Sequence, residues 1–574
     1  MGKCDETCQG CGYELRSSKI LGRPDWSDLR AMFKGVGFGD DDLERPIIGV
    51  ANTWSEINPG HTNLRMLADY VKRGIYRAGG TPVEFGTIGI CDGFPTANEG
   101  MYYVLPSREV IADSIEVMTE ANRLDGLVLL GSCDKIVPGI LMAAARLNIP
   151  CIVVNGGPML SGPEYNGRPS DAVSPTEAMA LHSIGEASLE EVIAMEELCC
   201  PTCGSCSYLG TANTMCCLSE VMGMTLAGTA MVPAVYNERI RIAFASGEKI
   251  VELIRKGITS RDIITKESLT NAVKVLLAFG GSTNAVLHLP ALAYEAGVDP
   301  QLIIDEIDKL SSEIPLIVKV NPSSHYDMEA FHIAGGVQQV MKEMRSILDT
   351  GCMTVDGVTV AENLDKFYNK YGETNRNIIK TLEEPFSEES GLAILRGNLA
   401  PDSGVAKPAA IHPDAHYFTG EAIVFDSEEE CMDAIGKGRV KSGHVVVIRY
   451  EGPKGGPGMR EMYKPMKLLY AQHLDTSTAL ITDGRFSGTN NGCFIGHISP
   501  EAANGGPIAI VRDGDKITID IKGRDLHLDV TEEEMEERFK AWSYTPKKTH
   551  GYLSLYAKLA SSADKGGIID LDRV

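Results

Sequence analysis

Short apolar segments alternate with longer amphipathic segments between residue 45 and about residue 379. The apolar segments have the length of buried strands, and the segments between them repeat apolar residues at helical spacing. Such alternation is typical of a largely parallel sheet with helices on both faces. We therefore predict an α/β/α domain with strands 45–51, 84–90, 125–130 and 149–154, helices 64–77, 107–122 and 140–147, and a second helical block at about 176–350 that includes 215–228 and 269–279.

The pattern changes after about residue 395, where short apolar segments follow one another with glycine-rich turns between them. These segments predict a smaller β-rich domain, a barrel or a swivelling module, with strands 422–425, 444–449, 478–482, 507–512 and 516–521. The polar stretch 383–402, which contains Pro385 and Gly391, is typical of a domain junction. We predict a cysteine-bearing leader (1–20), an α/β domain (21–385) and a C-terminal β-rich domain (395–574).

Composition narrows the function classes. Hydrophobic residues make up 43% and charged residues 23% of the chain, as in a soluble enzyme. The net charge of −24 disfavours nucleic acid and anionic membranes as partners, and an acidic substrate needs a local cation such as a metal ion. Because no secretory signal or bilayer-spanning apolar run is present, we predict a cytoplasmic protein, in which the 15 cysteines are metal ligands or buried thiols rather than disulfides.

Two motifs follow predicted strands of the α/β domain, where ligands of parallel sheets bind. Cys133, Asp134 and Lys135 come directly after strand 125–130, and Cys91 and Asp92 come after strand 84–90. A thiolate suits iron, whereas carboxylates suit magnesium. The alternatives are a buried cysteine beside a surface ion pair for the first motif and a turn-forming Asp-Gly for the second.

Cysteines also cluster in two other segments. Four of them, Cys199, Cys200, Cys203 and Cys206, lie within eight residues. They predict a metal site or, for Cys203 and Cys206, a redox pair, and the alternative is that one is a ligand while the others pack. The N-terminal leader carries three more cysteines with the spacing of a metal loop, and a reduced tail is the favoured interpretation of that segment: Cys4, Cys8 and Cys11.

The C-terminal domain contributes two polar loops. The glycine-rich loop 452–461 lacks the Walker pattern and ends at Glu461, which is either a metal ligand or a solvated side chain. The second loop, 482–492, carries Ser487, Thr489 and Asn490. No G-x-S-x-G elbow surrounds Ser487, so the candidates are a metal-activated base and a turn-capping serine.

Together these motifs resemble those of the dihydroxy-acid dehydratase and 6-phosphogluconate dehydratase superfamily, which includes the sugar-acid dehydratases. The resemblance covers about residues 14–573 and rests on motifs that occur in the family's order: NTWSEINPGH, CDG, PSREVIADSIE, CDKIVPG, NGGPM, CPTCGSC, TANTM, GGSTN, GPKGGPGMREM, TDGRFSGT and GHISPEA. It implies an α/β/α domain, a C-terminal β-barrel domain, and a homodimer or homotetramer.

The resemblance also implies an iron–sulfur cluster beside Mg²⁺. Cys133 and Cys206 match two family cluster ligands, but Gly60 stands where two-iron members have the third. Since Pro-Gly-His at this place resembles the oxygen-sensitive four-iron members, we favour a 4Fe–4S over a 2Fe–2S cluster. Cys91 is our candidate for the third ligand, ahead of His61.

For Mg²⁺ the family pattern maps onto Asp92, Asp134, Lys135 and Glu461, and in relatives the matching lysine is carbamylated. Ser487 matches the proposed catalytic base, and we expect Thr489 and Asn490 to contact substrate. The implied reaction removes water from an acidic small molecule, a 2,3-dihydroxy carboxylic acid, and leaves a 2-keto acid.

The substrate remains open between two acids. NTWSE and the polar run after Ser487 favour an aldonic acid slightly, while Pro-Gly-His, CDG and GHISPEA resemble the enzyme that acts on 2,3-dihydroxy-isovalerate. Three other classes stay as alternatives: an iron–sulfur sensor or scaffold, a zinc-stabilised binding protein, and a thiol redox enzyme built on Cys203 and Cys206.

Overall fold

A computed structural model describes residues 14–22, 24–486 and 492–570. Its first sheet is entirely parallel, as predicted, and has the strand order β2-β1-β3-β4. Three of the four strands are buried along their whole length, because helices cover both faces. The strands are β1 (Ile47–Asn52), β2 (Thr81–Gly86), β3 (Gly126–Gly131) and β4 (Cys151–Asn155).

The helices of the α/β domain begin and end close to the predicted positions where the apolar periodicity is strong. Three helices depart from this agreement: helices 136–147 and 266–279 start four and three residues before the predicted segments, and helix 211–221 starts four residues before the predicted segment 215–228 and ends seven residues earlier. The helices are α1 (Ser18–Leu21), α2 (Ser27–Gly35), α3 (Asp40–Leu43), α4 (Leu64–Ala78), α5 (Pro106–Asn122), α6 (Ile136–Leu147), α7 (Ser174–Ser183), α8 (Leu189–Leu198), α9 (Thr211–Val221), α10 (Glu238–Lys256), α11 (Ser260–Ile263), α12 (Lys266–Phe279), α13 (Ala285–Ala296), α14 (Pro300–Leu310), α15 (Met328–Ile333), α16 (Gly336–Glu343) and α17 (Val360–Lys366).

Helices α4 and α10 pack against one face of the sheet at very short range. A Cβ at Gly74 would lie 2.0 Å from the carbonyl oxygen of Phe244, and a Cβ at Gly247 would lie 2.1 Å from that of Val71. Only glycine at both positions allows this approach of the two backbones. The packing fixes α4, and therefore the loop between β1 and α4 that enters the candidate site.

The second sheet has eight strands in the order β14-β13-β9-β10-β11-β12-β8-β7. A bridge between Arg396 and Asp525 brings its two edge strands together, so the sheet is nearly closed and barrel-like, as predicted. Four helices accompany it: α18 (Glu428–Gly436), α19 (Tyr463–Ala471), α20 (Glu532–Ala541) and α21 (Tyr552–Leu559). The strands are β7 (Ala393–Leu395), β8 (Ser403–Ala406), β9 (Tyr417–Phe425), β10 (His444–Ile448), β11 (Ala479–Thr482), β12 (Cys493–Ser499), β13 (Lys516–Asp520) and β14 (Asp525–Leu528), and a small hairpin in the first domain supplies β5 (Glu164–Tyr165) and β6 (Arg168–Pro169).

One predicted strand of this domain is wrong. Segment 507–512 forms the 3-10 helix Pro507–Ile510, although its apolar side chains are buried as those of a strand would be. Pro507 has no N–H to donate to a sheet, and the N–H of Ala509 bonds to the carbonyl oxygen of Gly506 within the turn. Strand β7 also lies inside the stretch 383–402 that we predicted as a junction.

Separate hydrophobic clusters lie under the two sheets, one built mainly from residues 15–379 and one from residues 393–528. The predicted domain limits remain predictions. Within the described ranges, no helix is both long enough and apolar enough to cross a membrane.

Candidate active site

The carboxyl ends of β2 and β3 bring the two predicted strand-end motifs to one edge of the parallel sheet. Cys133, Asp134 and Lys135 occupy the turn between β3 and α6, and Cys91 and Asp92 lie in the loop after β2. A hydrogen bond fixes this turn to the segment after β4, since the hydroxyl of Ser132 accepts the backbone N–H of Gly156 at 2.7 Å. The side chains of both motifs therefore lie at the same edge of the sheet.

Three carboxylates surround the ammonium group of Lys135. Its Nζ lies 2.5 Å from Oδ2 of Asp92, 3.2 Å from Oε1 of Glu461 and 3.9 Å from Oδ2 of Asp134. Only 1% of the Lys135 side chain is exposed. We call Asp92, Asp134 and Glu461 the carboxylate cluster. Glu461 comes from the C-terminal domain, so the two domains build this cluster together.

A second cation holds Glu461 from the other side. The guanidinium of Arg485 is fully buried and donates from Nη1 to Oε1 of Glu461 at 2.8 Å and to Oδ1 of Asn284 at 3.0 Å. Its Nε donates to the carbonyl oxygen of Met459. Asn284 also donates to Oε1 of Glu461, at 3.0 Å. Nη2 of Arg485 has no hydrogen-bond partner in the described structure, so one buried donor remains for a ligand.

Burial and the neighbouring charges shift the pKa values of the three acids in different directions. Burial and the neighbouring Asp92 raise the pKa of Asp134 to about 7, and burial also raises the pKa of Asp92. Burial opposes ionisation of Glu461 too, but the charges of Lys135 and Arg485 outweigh it and lower the pKa of Glu461. Three acids thus share two protein cations, and a further cation would stabilise their ionised forms.

Three thiols, those of Cys91, Cys133 and Cys206, lie near enough to Asp134 to interact with its charge. Cys133 is buried, while Cys91 and Cys206 are half-buried. Burial is the main cause that raises the pKa of all three, to about 11 for Cys91, and the thiols and the acids of the site raise the pKa of Cys133 further through their negative charges. We call these residues the thiol cluster. A metal ion would have to displace their protons when it binds.

Gly60 lies where the loop that carries Cys133 meets the loop that carries Cys206. We call these two segments the cysteine loops. A Cβ at this position would lie 2.5 Å from Sγ of Cys133 and 3.5 Å from Cα of Ser205, the residue before Cys206. The N–H of Gly204 donates to the carbonyl oxygen of Pro59 at 3.0 Å, which ties the Cys206 loop to the same turn. The close approach requires glycine at position 60.

His61 does not point at the thiols as a free ligand. It is fully buried, and both ring nitrogens are engaged with the backbone or side chain of Thr53 and with the backbone of Ser132 and Cys133. Burial lowers the pKa of His61 to about 4, so the ring is neutral.

The other cysteines of the predicted Cys199–Cys206 motif differ in exposure. Cys199 is buried and Cys200 is exposed, with 3.7 Å between their sulfur atoms, and Cys203 is half-buried. Several of our predictions lie outside the described residues: Ser487, Thr489 and Asn490 in the C-terminal domain, and Cys4, Cys8 and Cys11 in the leader.

Sequence reasoning missed three polar residues that organise the site. Asn284 and Arg485 hold Glu461, and Asn213 donates to the carbonyl oxygens of Cys206 and Tyr208 at 2.5 Å and 2.7 Å. All three lie in segments that we quoted as motifs, GGSTN, TDGRFSGT and TANTM. The polar residues of those motifs indicated a functional site, but the neighbouring sequence did not show which polar side chain would point into the site.

The donor set fits the two metals that the resemblance implies, although the side chains are not arranged around an ion. Among the described residues, no group of three His, Cys, Asp or Glu side chains forms a ready metal site. The ammonium of Lys135 takes the central position instead. Oδ1 of Asp92 is buried without a partner in the described part of the chain, and such an orphaned acceptor is satisfied by a cation. The three thiols and the three carboxylates therefore fit iron and magnesium, respectively.

A cavity of about 570 Å³ opens beside Cys91. Its walls are mainly apolar, and six large side chains line it: Trp54, Ile57, Ile88, Ile90, Phe94 and Tyr103. Ile57 and Phe94 are largely exposed in the chain by itself.

Comparison with known proteins decides the family. Residues 45–363 match the dihydroxy-acid/6-phosphogluconate dehydratase N-terminal family, and residues 377–567 match the corresponding C-terminal family. The chain belongs to the dihydroxy-acid/6-phosphogluconate dehydratase family. It is therefore a hydro-lyase of the dehydratase type, as the sequence predicted.

Members of this family that are named dihydroxy-acid dehydratase are similar to the chain over nearly its whole length. The protein from Acetivibrio thermocellus is 50% identical over 97% of this chain and 100% of its own. The one from Caldanaerobacter subterraneus subsp. tengcongensis is 48% identical over 96% and 99%, and the one from Methanococcoides burtonii is 49% identical over 94% and 97%. These names favour our dihydroxy-acid alternative over the aldonic acid that we had put slightly ahead.

Proposed function

We propose that the chain is a dihydroxy-acid dehydratase of branched-chain amino-acid biosynthesis, which converts 2,3-dihydroxy-isovalerate to 2-ketoisovalerate. The observation that carries this proposal is the identity of about one half, over the full chain, with proteins of that name. The cavity beside Cys91 supports it, because its apolar walls suit a branched hydrocarbon end. A polyhydroxy chain would leave its hydroxyl groups unpaired against such walls.

The proposal includes two cofactors. The thiol cluster of Cys91, Cys133 and Cys206 would hold a 4Fe–4S cluster. The Pro-Gly-His sequence that includes Gly60 supports the four-iron type, because it resembles that of four-iron members. The carboxylate cluster, with Lys135 in carbamylated form, would hold Mg²⁺. Carbamylation would turn the central ammonium into an oxygen ligand, which agrees with its position between three carboxylates.

When bound, the two metals supply positive charge at neighbouring oxygens of the substrate, which the loss of a C2 proton and a C3 hydroxide requires. The residues of the chain arrange that charge. Arg485 and Asn284 hold Glu461 in place, and Nη2 of Arg485, which has no partner among the described residues, offers a donor to the acidic substrate. Ser487 would remove the C2 proton, and Thr489 and Asn490 would contact the substrate. The enol that forms would then tautomerise to the 2-keto acid.

Two further predictions belong to this proposal. We infer a cytoplasmic location, because cluster thiols must stay reduced. We also infer a homodimer or homotetramer, as the resemblance implies, with neither nucleic acid nor membrane as a partner at a net charge of −24.

The deciding experiment measures turnover of anaerobically purified and reconstituted protein on 2,3-dihydroxy-isovalerate and on a series of aldonic acids. We expect the branched acid to give the higher kcat/KM, with 2-ketoisovalerate as the product. A preference for an aldonic acid would contradict the proposed substrate and leave the reaction class unchanged.

Metal analysis of the same samples tests the cofactors and separates the other classes. We expect iron, sulfide and magnesium. Zinc without iron or sulfide would favour a zinc-stabilised binding protein, and a full cluster without turnover on any dihydroxy acid would favour a sensor or scaffold. Thiol titration with and without iron tests a redox pair of Cys203 and Cys206.

A further inference from the structure

His61 connects the ends of two neighbouring strands through its ring. Nε2 lies 3.2 Å from the backbone nitrogen of Ser132 and 3.2 Å from that of Cys133, and both N–H groups donate to it. A nitrogen that accepts two N–H groups carries no proton, so the ring proton is on Nδ1. Nδ1 lies 2.7 Å from the carbonyl oxygen of Thr53 and donates to it.

The surroundings leave the ring no other position. The hydroxyl of Thr53 donates to the carbonyl oxygen of Leu130 at 2.7 Å, so the segment after β1 is fixed to the end of β3. A Cβ at Gly89 would lie 2.4 Å from the oxygen of Thr53 and 2.9 Å from Nδ1 of His61. The loop after β2 therefore closes directly over the ring, and His61 itself is fully buried.

We propose that His61 is a positioning residue, which holds the backbone of Ser132 and Cys133 so that the thiol of Cys133 is presented to the cluster in one orientation. The inference rests on the proposed function, since it assigns Cys133 to the cluster. It also removes His61 from the set of candidate ligands, because both of its nitrogens are already bound within the protein. His61 acts through Cys133 and does not touch the reacting atoms.

Two variants distinguish the loss of the hydrogen-bond acceptor of His61 from the loss of the volume of its ring. His61→Gln keeps an acceptor oxygen that reaches the region of Nε2, whereas His61→Leu fills a similar volume without an acceptor. The matched control is Ile75→Ala in α4, which removes buried apolar volume from the same domain. Ile75 lies in the last turn of α4, at the end away from His61 and next to Gly80, so its variant reports general destabilisation of the domain.

Three measurements follow anaerobic reconstitution of the full chain: iron and sulfide per chain, the rate of iron release to a ferrous chelator, and the electron paramagnetic resonance spectrum of the reduced cluster. We expect His61→Leu to release iron about 10–100-fold faster and to change the spectrum, as losses of outer partners do at metal sites. His61→Gln should stay within about threefold of the wild type. Ile75→Ala should lower the melting temperature and keep the wild-type spectrum.

Several outcomes would overturn the inference. Wild-type iron release and an unchanged spectrum in His61→Leu would do so, and so would equal defects in the Leu and Gln variants, which would assign the effect to volume. Should His61→Leu fail to fold, electron–nuclear double resonance on wild-type protein with isotope-labelled histidine still decides, since a histidine nitrogen bonded directly to iron contradicts the inference and its absence supports it. A wild-type chain that takes up no iron and sulfide refutes the cofactor proposal, and this inference with it.

Discussion

The ammonium of Lys135 lies 2.5 Å from Oδ2 of Asp92. The other carboxylate oxygen of Asp92, Oδ1, is buried and has no partner within the described structure. Lys135 follows β3 and Asp92 follows β2, so the contact joins two strand ends of one parallel sheet. A buried lysine normally stabilises buried acids as their counter-charge. At this position it also occupies the place that a divalent cation would need, which makes the chemical state of Lys135 the central question of the site.

Replacing Lys135 tests that state. Lys135→Arg keeps the positive charge but has no amine that carbon dioxide could carbamylate. We expect this variant to bind iron as the wild type does and to lose Mg²⁺ binding and turnover. Isotope-labelled bicarbonate, followed by carbon NMR, should label the wild type and not the variant. Normal turnover of Lys135→Arg would contradict a carbamylated ligand.

The same position makes a prediction about stability in the metal-free protein. Lys135→Met removes the counter-charge from Asp92, Asp134 and Glu461, and breaking such a buried pair costs about 3–5 kcal/mol. We expect the melting temperature of the metal-free variant to fall clearly below that of the wild type. An unchanged melting temperature would show that the acids are neutral without Lys135.

Gly60→Ala tests the meeting point of the cysteine loops. The new Cβ would lie 2.5 Å from Sγ of Cys133, so the loops must separate at a cost of about 1–3 kcal/mol. We expect the iron and sulfide content after reconstitution to fall. Gly436→Ala is the control, since a Cβ at Gly436 has no neighbour within 4 Å. Equal iron content in both variants would show that the thiols do not need this close approach.

The strand-end part of the site could be predicted from sequence. Cys91, Asp92 and the 133–135 motif follow apolar strands, and strand ends of a parallel sheet share one edge. Helix limits were also predictable where the apolar period was strong. Strand β2 was placed too late, because Ile88 and Ile90 line the cavity beside Cys91 and are not part of the paired strand.

The contribution of the second domain could not be derived from local pattern. Glu461 reaches Lys135 from 326 positions away along the chain, and only the family resemblance connected the two. Arg485 lies in a polar loop and points inward through contacts with Met459, Glu461 and Asn284, which lie 26, 24 and 201 positions away along the chain. Segment 507–512 shows the same limit, since burial alone does not distinguish a strand from a 3-10 turn.

Ser487→Ala tests the proposed base by itself. Our proposal assigns Ser487 to neither the thiol cluster nor the carboxylate cluster, so iron and magnesium content should match the wild type. We expect kcat to fall by about 10²–10⁴, the usual contribution of a positioned base. Near-normal turnover with full metal content would exclude Ser487 from this role.

Glu501 gives a prediction on the pH dependence of stability. Its carboxylate accepts the backbone N–H groups of Lys454 and Gly455, at 2.9 Å and 2.8 Å, and so holds the glycine-rich loop that leads to Glu461. Burial, and then the charge of Asp483, raise the pKa of Glu501 to about 7. The folded chain therefore binds this proton more tightly than the unfolded chain, and the stability gained is full below about pH 4.5 and lost as the pH rises to about 7.

The measurement compares the wild type with Glu501→Gln, which cannot titrate. A shift of this size corresponds to about 3 kcal/mol, so the wild type should lose about that much stability relative to the variant between pH 4.5 and 7. Thermal melting across this range shows the sign directly. Parallel pH profiles for the two proteins would mean that Glu501 has the same pKa in the folded and the unfolded chain, which would contradict the prediction.

Arg485→Lys tests Nη2 of Arg485, the buried donor without a partner in the described part of the chain. Lysine keeps the charge but cannot hold Met459, Asn284 and Glu461 while it also presents a free N–H group. Since a hydrogen bond to a charged group contributes about 1.5–3 kcal/mol, we expect KM for the acidic substrate to rise at least about tenfold. Arg345→Lys, in an exposed pair with Asp365, is the control and should leave the kinetics unchanged. A fall in kcat and magnesium content at constant KM would instead assign Arg485 to the support of Glu461 alone, because that support does not depend on the substrate.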